Sequence, residues 1–463
     1  MSSNTRSPIP PHLPLYDAHC HPTDTMSLIP SIPNMRARAL TIMATRSQDQ
    51  HLVHEVAEKY GVKSPDIENW GKEERVIPSF GWHPWFAHEL YIDSEVSEDS
   101  EDSQDEKTKE IHSSLKNLNL SNQQQQQHGD VQKEPKNRLT DDTKTTHYLT
   151  VLRPHRSSFS VSEIKLISAL PDPTPLSLYL STLRANLQSH PYALVGEIGL
   201  DSTFRLPYPW THEHSSSASD SRDEKLTIGG REGRKLTPFR VDLSHQKRVM
   251  RAQLDVAAEL GRAVSVHGVR AHGAVLEVLQ STWEGHLKHV PSKRERKKMA
   301  AQKAAEKNAS GSIANPEDEN TNGKDEEQQL KQANNDDETS KPYPPRICLH
   351  SYSGTASTLQ LYLSPSIPAE IFFSFSTAIN LDDDLQSETP EEFLELVKKT
   401  PDHMLLIESD LHTAGERMDE RLEDIATRIC EIKGWGVEEG VRRLAGNWER
   451  FVFGDRMKEE ERK

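Results

Sequence analysis

Residues 15–21 read LYDAHCH, a short apolar run that ends in two histidines, His19 and His21. Residues two apart in a β-strand point to the same side, so a strand here presents both imidazoles together while Cys20 points away. Seven further short runs rich in apolar, β-branched or aromatic residues follow along the chain: Ala39–Thr45, Val76–Trp82, Tyr192–Ile198, Ala263–His267, Arg346–His350, Glu370–Phe375 and His403–Glu408. The sequence therefore predicts eight strands.

Stretches with helical spacing separate most of these runs. The clearest is Ser244–Leu260, where Val249, Leu254 and Val256 share one face before Gly261 ends the pattern. The others are Gln50–Tyr60, Leu176–Gln188, Ala271–Trp283 and Glu391–Lys398, with Met418–Ile432 and Val437–Phe451 after the eighth strand. Strands alternating with helices predict an α/β fold with a parallel sheet, and eight strands predict closure into a TIM-like (β/α)8 barrel.

Three polar segments interrupt this alternation. Residues 94–146 are acidic and contain a run of five glutamines, 202–240 are rich in serine, glycine and charge, and 291–345 turn from basic to acidic. Because none has a sustained apolar period, we expect three disordered insertions within a single metal-dependent hydrolase barrel domain spanning residues 1–463. The acidic insertions are also candidate docking sites for a protein partner.

The composition restricts the class of protein. A net charge of -16 argues against a generally basic surface that grips duplex DNA. Three scattered cysteines favour a reducing compartment. The sequence has no apolar run long enough to predict a membrane span, and its N-terminus does not resemble a signal peptide. We expect a cytoplasmic protein, and the basic run KRERKK at 293–298 leaves a nuclear location open, although such a run is more often a solvated surface segment.

Residue types that bind metals fall at the ends of the predicted strands. They are His19 and His21 on the first, Glu197 on the fourth, His267 on the fifth, His350 on the sixth and Asp410 after the eighth. In a β/α barrel the C-terminal ends of the strands form one mouth, so these six side chains are expected to converge there. The pattern predicts a metal centre.

Each of these residues also has a structural interpretation. A single histidine at a strand end is more often structural than a ligand, Asp410 could cap the following helix, and Glu197 could pair with an arginine. The nearby arginines lie in the polar segment after Asp201. Recurrence of such residues on consecutive strands favours the metal centre.

Seven motifs stand in a fixed order: Asp17-Ala-His19-Cys-His21, Gly81-Trp-His83-Pro84, Gly196-Glu197-Ile-Gly199-Leu-Asp201, Gln246 to Gln253 leading to His267, His350-Ser-Tyr-Ser-Gly354, Glu408-Ser-Asp410 and Asn447-Trp-Glu-Arg-Phe451. Together they resemble the TatD family of metal-dependent deoxyribonucleases and related hydrolases, over nearly the whole chain outside the three insertions. Two places depart from the family pattern beside the expected substrate cleft. Arg270 lies one residue further from His267, and Leu411-His412 replaces an expected proline.

The resemblance implies two divalent metal ions and a phosphodiester substrate such as DNA. Glu197 would bridge the ions, with His19, His21 and Asp410 completing one site and His267 and His350 the other. Asp410 and Glu197 would be the catalytic residues, and Arg270 would contact substrate. His83 would either contact the substrate phosphate or lie behind the metal ligands. Zinc, manganese, cobalt and magnesium are all candidates, although this nitrogen-rich set suits magnesium least.

Two other functions stay open. An amidohydrolase acting on a small amide shares the barrel and the paired histidines, but commonly bridges its metals with a carboxylated lysine on the fourth strand, where this chain has Glu197. A scaffold protein that retains the barrel would bind partners through the polar insertions. The presence of all six candidate ligands favours an enzyme.

Overall fold

The computed structural model describes residues 9–93, 141–155, 158–208, 235–299, 301 and 341–455. Eight strands form one parallel sheet in chain order: β1 Tyr16–Cys20, β2 Ala39–Met43, β3 Val76–Phe80, β4 Leu194–Asp201, β5 Val264–Val269, β6 Arg346–Leu349, β7 Glu370–Phe375 and β8 Leu405–Ile407. Beyond β8, Asp410 N donates to His19 O at 3.0 Å and His21 N donates to Leu411 O at 2.8 Å. These bonds join the last strand to the first, and the predicted TIM-like barrel is confirmed.

Helices alternate with the strands on the outside of the barrel: α1 Ser47–Tyr60, α2 Asp141–Val151, α3 Val161–Ala169, α4 Leu176–Ser189, α5 Leu243–Glu259, α6 His272–Thr282, α7 Ala356–Tyr362, α8 Thr377–Asn380, α9 Glu391–Lys399, α10 Glu416–Lys433 and α11 Val437–Phe453. The seven helices predicted from spacing are all present. Asp242 begins α5 by accepting hydrogen bonds from the backbone of Ser244 and His245. No described helix is long and apolar enough to cross a membrane.

The inside of the barrel changes in character along its axis. Near the N-terminal ends of the strands the inward side chains are mostly apolar: Ala39, Ile77, Leu194, Ala263, Cys348, Phe372 and Leu406. Two residues further along, on the same face of the strands, the buried side chains are small: Thr41, Ser79, Gly196, Ser265 and Ser374. Helix α11 covers the apolar end, where Trp448 stacks on Tyr16 with ring centroids 4.4 Å apart. The small residues leave room at the other end for polar side chains.

The second predicted insertion is too wide, because both of its ends fold against the barrel. Residues 202–208 and 235–240 bury three large apolar side chains: Phe204, Leu206 and Phe239. Leu206 N donates to Phe239 O at 2.9 Å, which holds the two ends together. Burial of the apolar and aromatic side chains outweighs the polar composition around them.

The other two predicted insertions also need narrower bounds. Helix α2 begins inside the first, at Asp141, and buries Tyr148. Within the third, residues 293–299 are helical and exposed, in agreement with a solvated basic run, and Tyr343 packs against the core. The remaining positions, 94–140, 209–234, 300 and 302–340, lie outside the described residues, so their predicted disorder stays a prediction.

Candidate metal centre

The ends of β1 and β8 bring three predicted ligands together. His19 and His21 are buried, and their Nε2 atoms lie 3.1 Å apart. Asp410 has a φ of 53°, in the left-handed region that residues other than glycine rarely adopt. Its Oδ1 lies 3.5 Å from His21 Nε2 and 3.8 Å from His19 Nε2. Three possible ligand atoms therefore face one another on this side of the mouth.

Glu197, near the middle of β4, lies between two pairs of histidines. Its Oε2 is 3.4 Å from His19 Nε2 and 3.2 Å from His21 Nε2. Its Oε1 is 2.8 Å from His267 Nδ1 and 2.8 Å from His350 Nε2. The structure thus brings all six predicted ligands into one buried cluster, with a different oxygen of Glu197 facing each pair.

His83, expected either to contact the phosphate or to lie behind the metal ligands, contacts the cluster through Glu197. Its Nε2 lies 2.9 Å from Glu197 Oε1, and its Nδ1 accepts a hydrogen bond from Trp85 N at 3.2 Å. The accepting Nδ1 places the ring proton on Nε2, from which it donates to Glu197. Burial lowers the pKa of His83 to about 4, so the ring is neutral near pH 7. His83 therefore orients the central carboxylate.

The spacing of these atoms fits divalent metal ions. His267 Nδ1 and His350 Nε2 lie 3.1 Å apart, as do the Nε2 atoms of His19 and His21. Two nitrogen ligands of a tetrahedral zinc, each about 2.0–2.1 Å from the ion, are separated by roughly 3.3 Å. The donors fall into buried or nearly buried groups of three whose ligand atoms lie within 4.8 Å, including His19–His21–Asp410 and His83–Glu197–His267.

The electrostatics of the cluster favour positive charge between the carboxylates. Burial opposes ionisation of Glu197, yet His83, His350 and His19 together hold its pKa well below the usual range. For His350, burial disfavours the charged form, but Glu197 outweighs it and raises the pKa to about 10. Carboxylates that pull protons onto buried imidazoles attract divalent cations for the same reason.

For three of the four candidate ligand histidines, the second ring nitrogen lies near an oxygen-bearing side chain, although only that of His19 is within hydrogen-bond distance. His19 Nδ1 lies 2.8 Å from Ser265 Oγ, His267 Nε2 lies 3.6 Å from Asp201 Oδ2, and His350 Nδ1 lies 3.7 Å from Glu408 Oε1. Metal-binding histidines usually have such partners, which fix the ring orientation and strengthen the donor nitrogen. The arrangement therefore matches metal ligation in both donor groups.

Neither these outer residues nor Asp17 had a role predicted from the sequence. The buried Asp17 carboxylate accepts hydrogen bonds from Ser409 Oγ at 2.5 Å and from His19 N at 3.0 Å, so it ties β1 to the chain after β8. Burial raises the pKa of Asp17 to about 8, against the effect of these bonds. The sequence did contain a signal that Asp17 faces the same side as His19, because the two residues are separated by the two-residue period of a strand.

Two rim residues mark the departures from the family pattern. Arg270, predicted to bind substrate, is exposed after β5, and its carbonyl accepts a hydrogen bond from Ser202 Oγ at 2.9 Å. No described contact joins its side chain to the metal cluster. The His412 ring stacks near His21 with centroids 5.2 Å apart, and its Nδ1 lies 2.7 Å from Asp24 Oδ2. The Leu411-His412 departure therefore places an imidazole directly above a predicted ligand.

Comparison with known sequences identifies the family. Residues 176–453 match the family model described as TatD related DNase. The chain belongs to the TatD-related DNase family. Its relatives include the Cut9-interacting protein scn1 of Schizosaccharomyces pombe, which is 31% identical over 438 residues, covering 95% of this chain and 98% of that protein. An uncharacterized deoxyribonuclease of Saccharomyces cerevisiae is 24% identical over 321 residues, covering 67% of this chain and 75% of the relative.

The TatD-related chain also resembles solved structures. A TatD homologue of Escherichia coli K12 has 13% sequence identity and a TM-score of 0.41, covering 95% of this chain and 98% of its own. An uncharacterized amidohydrolase of Saccharomyces cerevisiae has 14% identity and a TM-score of 0.42, covering 94% of this chain and 98% of its own. The family predicted from the ordered motifs is confirmed by the family-model match and the fission yeast relative.

Proposed function

We propose that this TatD-related protein hydrolyses phosphodiester bonds with the help of two divalent metal ions. The observation that carries the proposal is the two-sided environment of Glu197. Its Oε2 lies 3.2–3.4 Å from His21 and His19, whereas its Oε1 lies 2.8 Å from both His267 and His350. A shared carboxylate between two nitrogen-rich groups suits a pair of cations, and zinc, manganese or cobalt fits these donors better than magnesium.

Asp410 is the residue best suited to act on the attacking water. When bound, divalent ions acidify a water and stabilise the charge gained by the phosphoryl group in the transition state. Burial raises the pKa of Asp410, but its hydrogen bond with His21 and the neighbouring imidazoles lower it below the ordinary range. The carboxylate is therefore ionised at neutral pH, so it can accept a hydrogen bond from a water and orient it, and it is also the most exposed of the charged groups in the cluster, at 13%.

The surrounding residues hold the reactive groups in place. His83 fixes one oxygen of Glu197, and Ser265 fixes the His19 ring. Arg270 is exposed on the rim after β5, where a guanidinium is suited to a phosphate oxygen. DNA is the candidate substrate suggested by the family description.

The double substitution of His19 and His21 by alanine tests the proposal. We expect it to lower metal content, measured by elemental analysis, together with turnover of bis(p-nitrophenyl) phosphate, because half of one donor group is removed. A matched control replaces the exposed, remote His51 and His289 with alanine. Full metal occupancy in the double variant, or a wild-type protein inactive on every phosphodiester, would overturn the proposal.

An amidohydrolase reaction on a small amide is the alternative on the same barrel. The bridging position on the fourth strand holds Glu197, and that strand, Leu194–Asp201, contains no lysine that could be carboxylated. This chemistry favours the phosphodiesterase. Faster turnover of a cyclic amide than of any phosphodiester would reverse that preference.

We infer in addition that the chain binds a protein partner. The fission yeast relative, which aligns with 95% of this chain, is named as interacting with Cut9. The acidic segments at 94–140 and 302–340 are candidate docking sites for this partner. We expect the protein in the cytoplasm, with the nucleus as the alternative. Affinity capture of the same partner by wild-type protein and by the His19→Ala/His21→Ala variant would separate binding from hydrolysis. Failure of both to retain a homologue of Cut9 would contradict the inference.

A further inference from the structure

A cavity of about 180 Å³ lies on the rim of the barrel mouth beside the metal cluster. We call it the rim pocket, and its walls include Arg46, Trp85, Phe86, Glu89, Ala169 and Leu206. They come after β2, β3 and β4 and from the C-terminal end of α3. Pockets for drug-sized ligands occupy roughly 300–1,000 Å³, so the rim pocket suits one flat ring system.

Aromatic side chains line two sides of the rim pocket. Trp85 stacks on Phe204 with centroids 4.4 Å apart and an angle of 12° between the rings. The Arg46 guanidinium lies 4.6 Å from the centre of the Phe86 ring. Flat apolar walls beside a cation are the surroundings in which nucleobases stack.

Glu89 contributes a buried carboxyl group to the same pocket. It is 7% exposed, and no described residue donates a hydrogen bond to its carboxylate. Burial raises the pKa of Glu89 to about 7, although Arg46 partly opposes this. A ligand that brings N–H groups into the pocket would supply the hydrogen bonds that this carboxylate lacks among the described residues.

The rim pocket lies one side chain away from the metal cluster. Trp85 Nε1 donates to Asp201 Oδ2 at 2.7 Å, and that oxygen lies 3.6 Å from His267 Nε2. The Trp85 and His83 rings are 4.7 Å apart. A ligand in the rim pocket therefore contacts Trp85, which lies between the pocket and the proposed site of hydrolysis.

We propose that the rim pocket binds a nucleobase adjacent to the scissile phosphodiester and that Glu89 selects a base with two neighbouring N–H donors, as guanine has. This inference rests on the proposed phosphodiesterase function. Two carboxylate oxygens match two adjacent donors, whereas thymine offers one N–H between two carbonyl oxygens that repel a carboxylate. DNA and RNA present guanine in the same way.

Steady-state kinetics on dinucleotides test the selection. With deoxy and ribo dinucleotides that carry guanine or a thymine-type base, we expect kcat/KM to favour guanine by roughly tenfold to a hundredfold, the discrimination of one paired contact. Comparison of the deoxy and ribo series shows which nucleic acid supplies the base. Glu89→Gln should reduce the preference several-fold, because its amide N–H₂ faces the donors of guanine.

Calorimetric titration with guanosine and thymidine monophosphates tests the pocket without turnover. Ala169→Trp places a large ring at the exposed edge of the pocket and should weaken binding of the guanine nucleotide at least tenfold, whereas Leu361→Trp on the remote α7 should not. Equal affinity for the two nucleotides in the wild type, or a guanine preference unchanged in Glu89→Gln, overturns the inference. Nucleotide selection without hydrolysis of any phosphodiester would instead contradict the proposed function.

Discussion

The two ends of the barrel are built from the same eight strands but differ in chemistry. At the N-terminal end, Tyr16 and Trp448 stack in an apolar layer covered by α11. At the C-terminal end, Glu197 and the surrounding histidines form a buried polar cluster. Between them lies a layer of small side chains such as Ser79 and Ser265.

This difference separates stability from chemistry. Buried apolar contacts stabilise the fold without depending on charge, whereas buried carboxylates and imidazoles are costly unless they compensate one another or bind a cation. The N-terminal end, which α11 closes, can therefore supply stability that offsets the cost of burying charged groups at the mouth. This division is usual in β/α barrels. Substitutions at the two ends should affect different measurements.

The largest expected effect is at the mouth. Asp410→Asn should lower kcat for bis(p-nitrophenyl) phosphate by roughly a hundredfold to ten thousandfold, because an amide cannot accept the proton from the attacking water. The melting temperature should change little, since the apolar end is untouched. Stopped assays at saturating metal, together with calorimetric melting, measure both quantities.

Asp255→Asn is the matched control for this substitution. Asp255 is exposed on α5 and pairs with Arg251 on the same helix, far from the cluster. The Asp255→Asn substitution should leave turnover and melting temperature near their wild-type values. Wild-type turnover by Asp410→Asn at saturating metal would remove Asp410 from its proposed role.

The closed end should show the opposite behaviour. Trp448→Ala removes the ring that stacks on Tyr16 and the indole N–H that lies 3.2 Å from Thr41 Oγ1. Truncation of a buried aromatic residue costs about 3–5 kcal/mol of unfolding free energy. Urea unfolding should show this loss, while turnover per folded molecule stays near the wild-type value. Trp448→Phe, which retains a stacking ring, should cost less, and an equal loss would mean that stacking is not the source.

The strands were predictable because period-two patterning and burial act locally. All eight predicted runs overlap an observed strand, and the six candidate ligands were chosen from the places where those runs end. Helix α2 was missed because it lies in a polar segment with little apolar periodicity. Phe204 and Phe239 were placed in an insertion because their packing depends on two distant parts of the chain that meet only in the fold.

The internal arrangement of the metal cluster was less accessible from sequence. Spacing predicts that Glu197 reaches the mouth, but not that its two oxygens face different histidines. Likewise, the contact of His83 with Glu197 depends on a turn that begins at Pro84 and orients the His83 ring through Trp85 N. Contacts between a candidate ligand and the residues that orient it arise from tertiary geometry, which a linear pattern does not encode.

The smallest expected effect concerns how the stability of the rim depends on pH. Burial raises the pKa of Glu89 from its ordinary value of 4.5 to about 7, so folding favours the protonated form. The stability that comes from the protonated carboxyl is fully present below about pH 4.5 and is lost as pH rises through 7. The loss of unfolding free energy approaches roughly 3 kcal/mol on the alkaline side. Because Glu89→Gln cannot ionise, the variant should become more stable relative to wild type as pH increases. Urea unfolding at several pH values measures this trend, and Glu55→Gln on the exposed face of α1 should run parallel to wild type. Parallel curves for Glu89→Gln and wild type would mean that folding does not disfavour the ionised form of this carboxyl, and Glu89 would then contribute nothing to the pH dependence of the mouth.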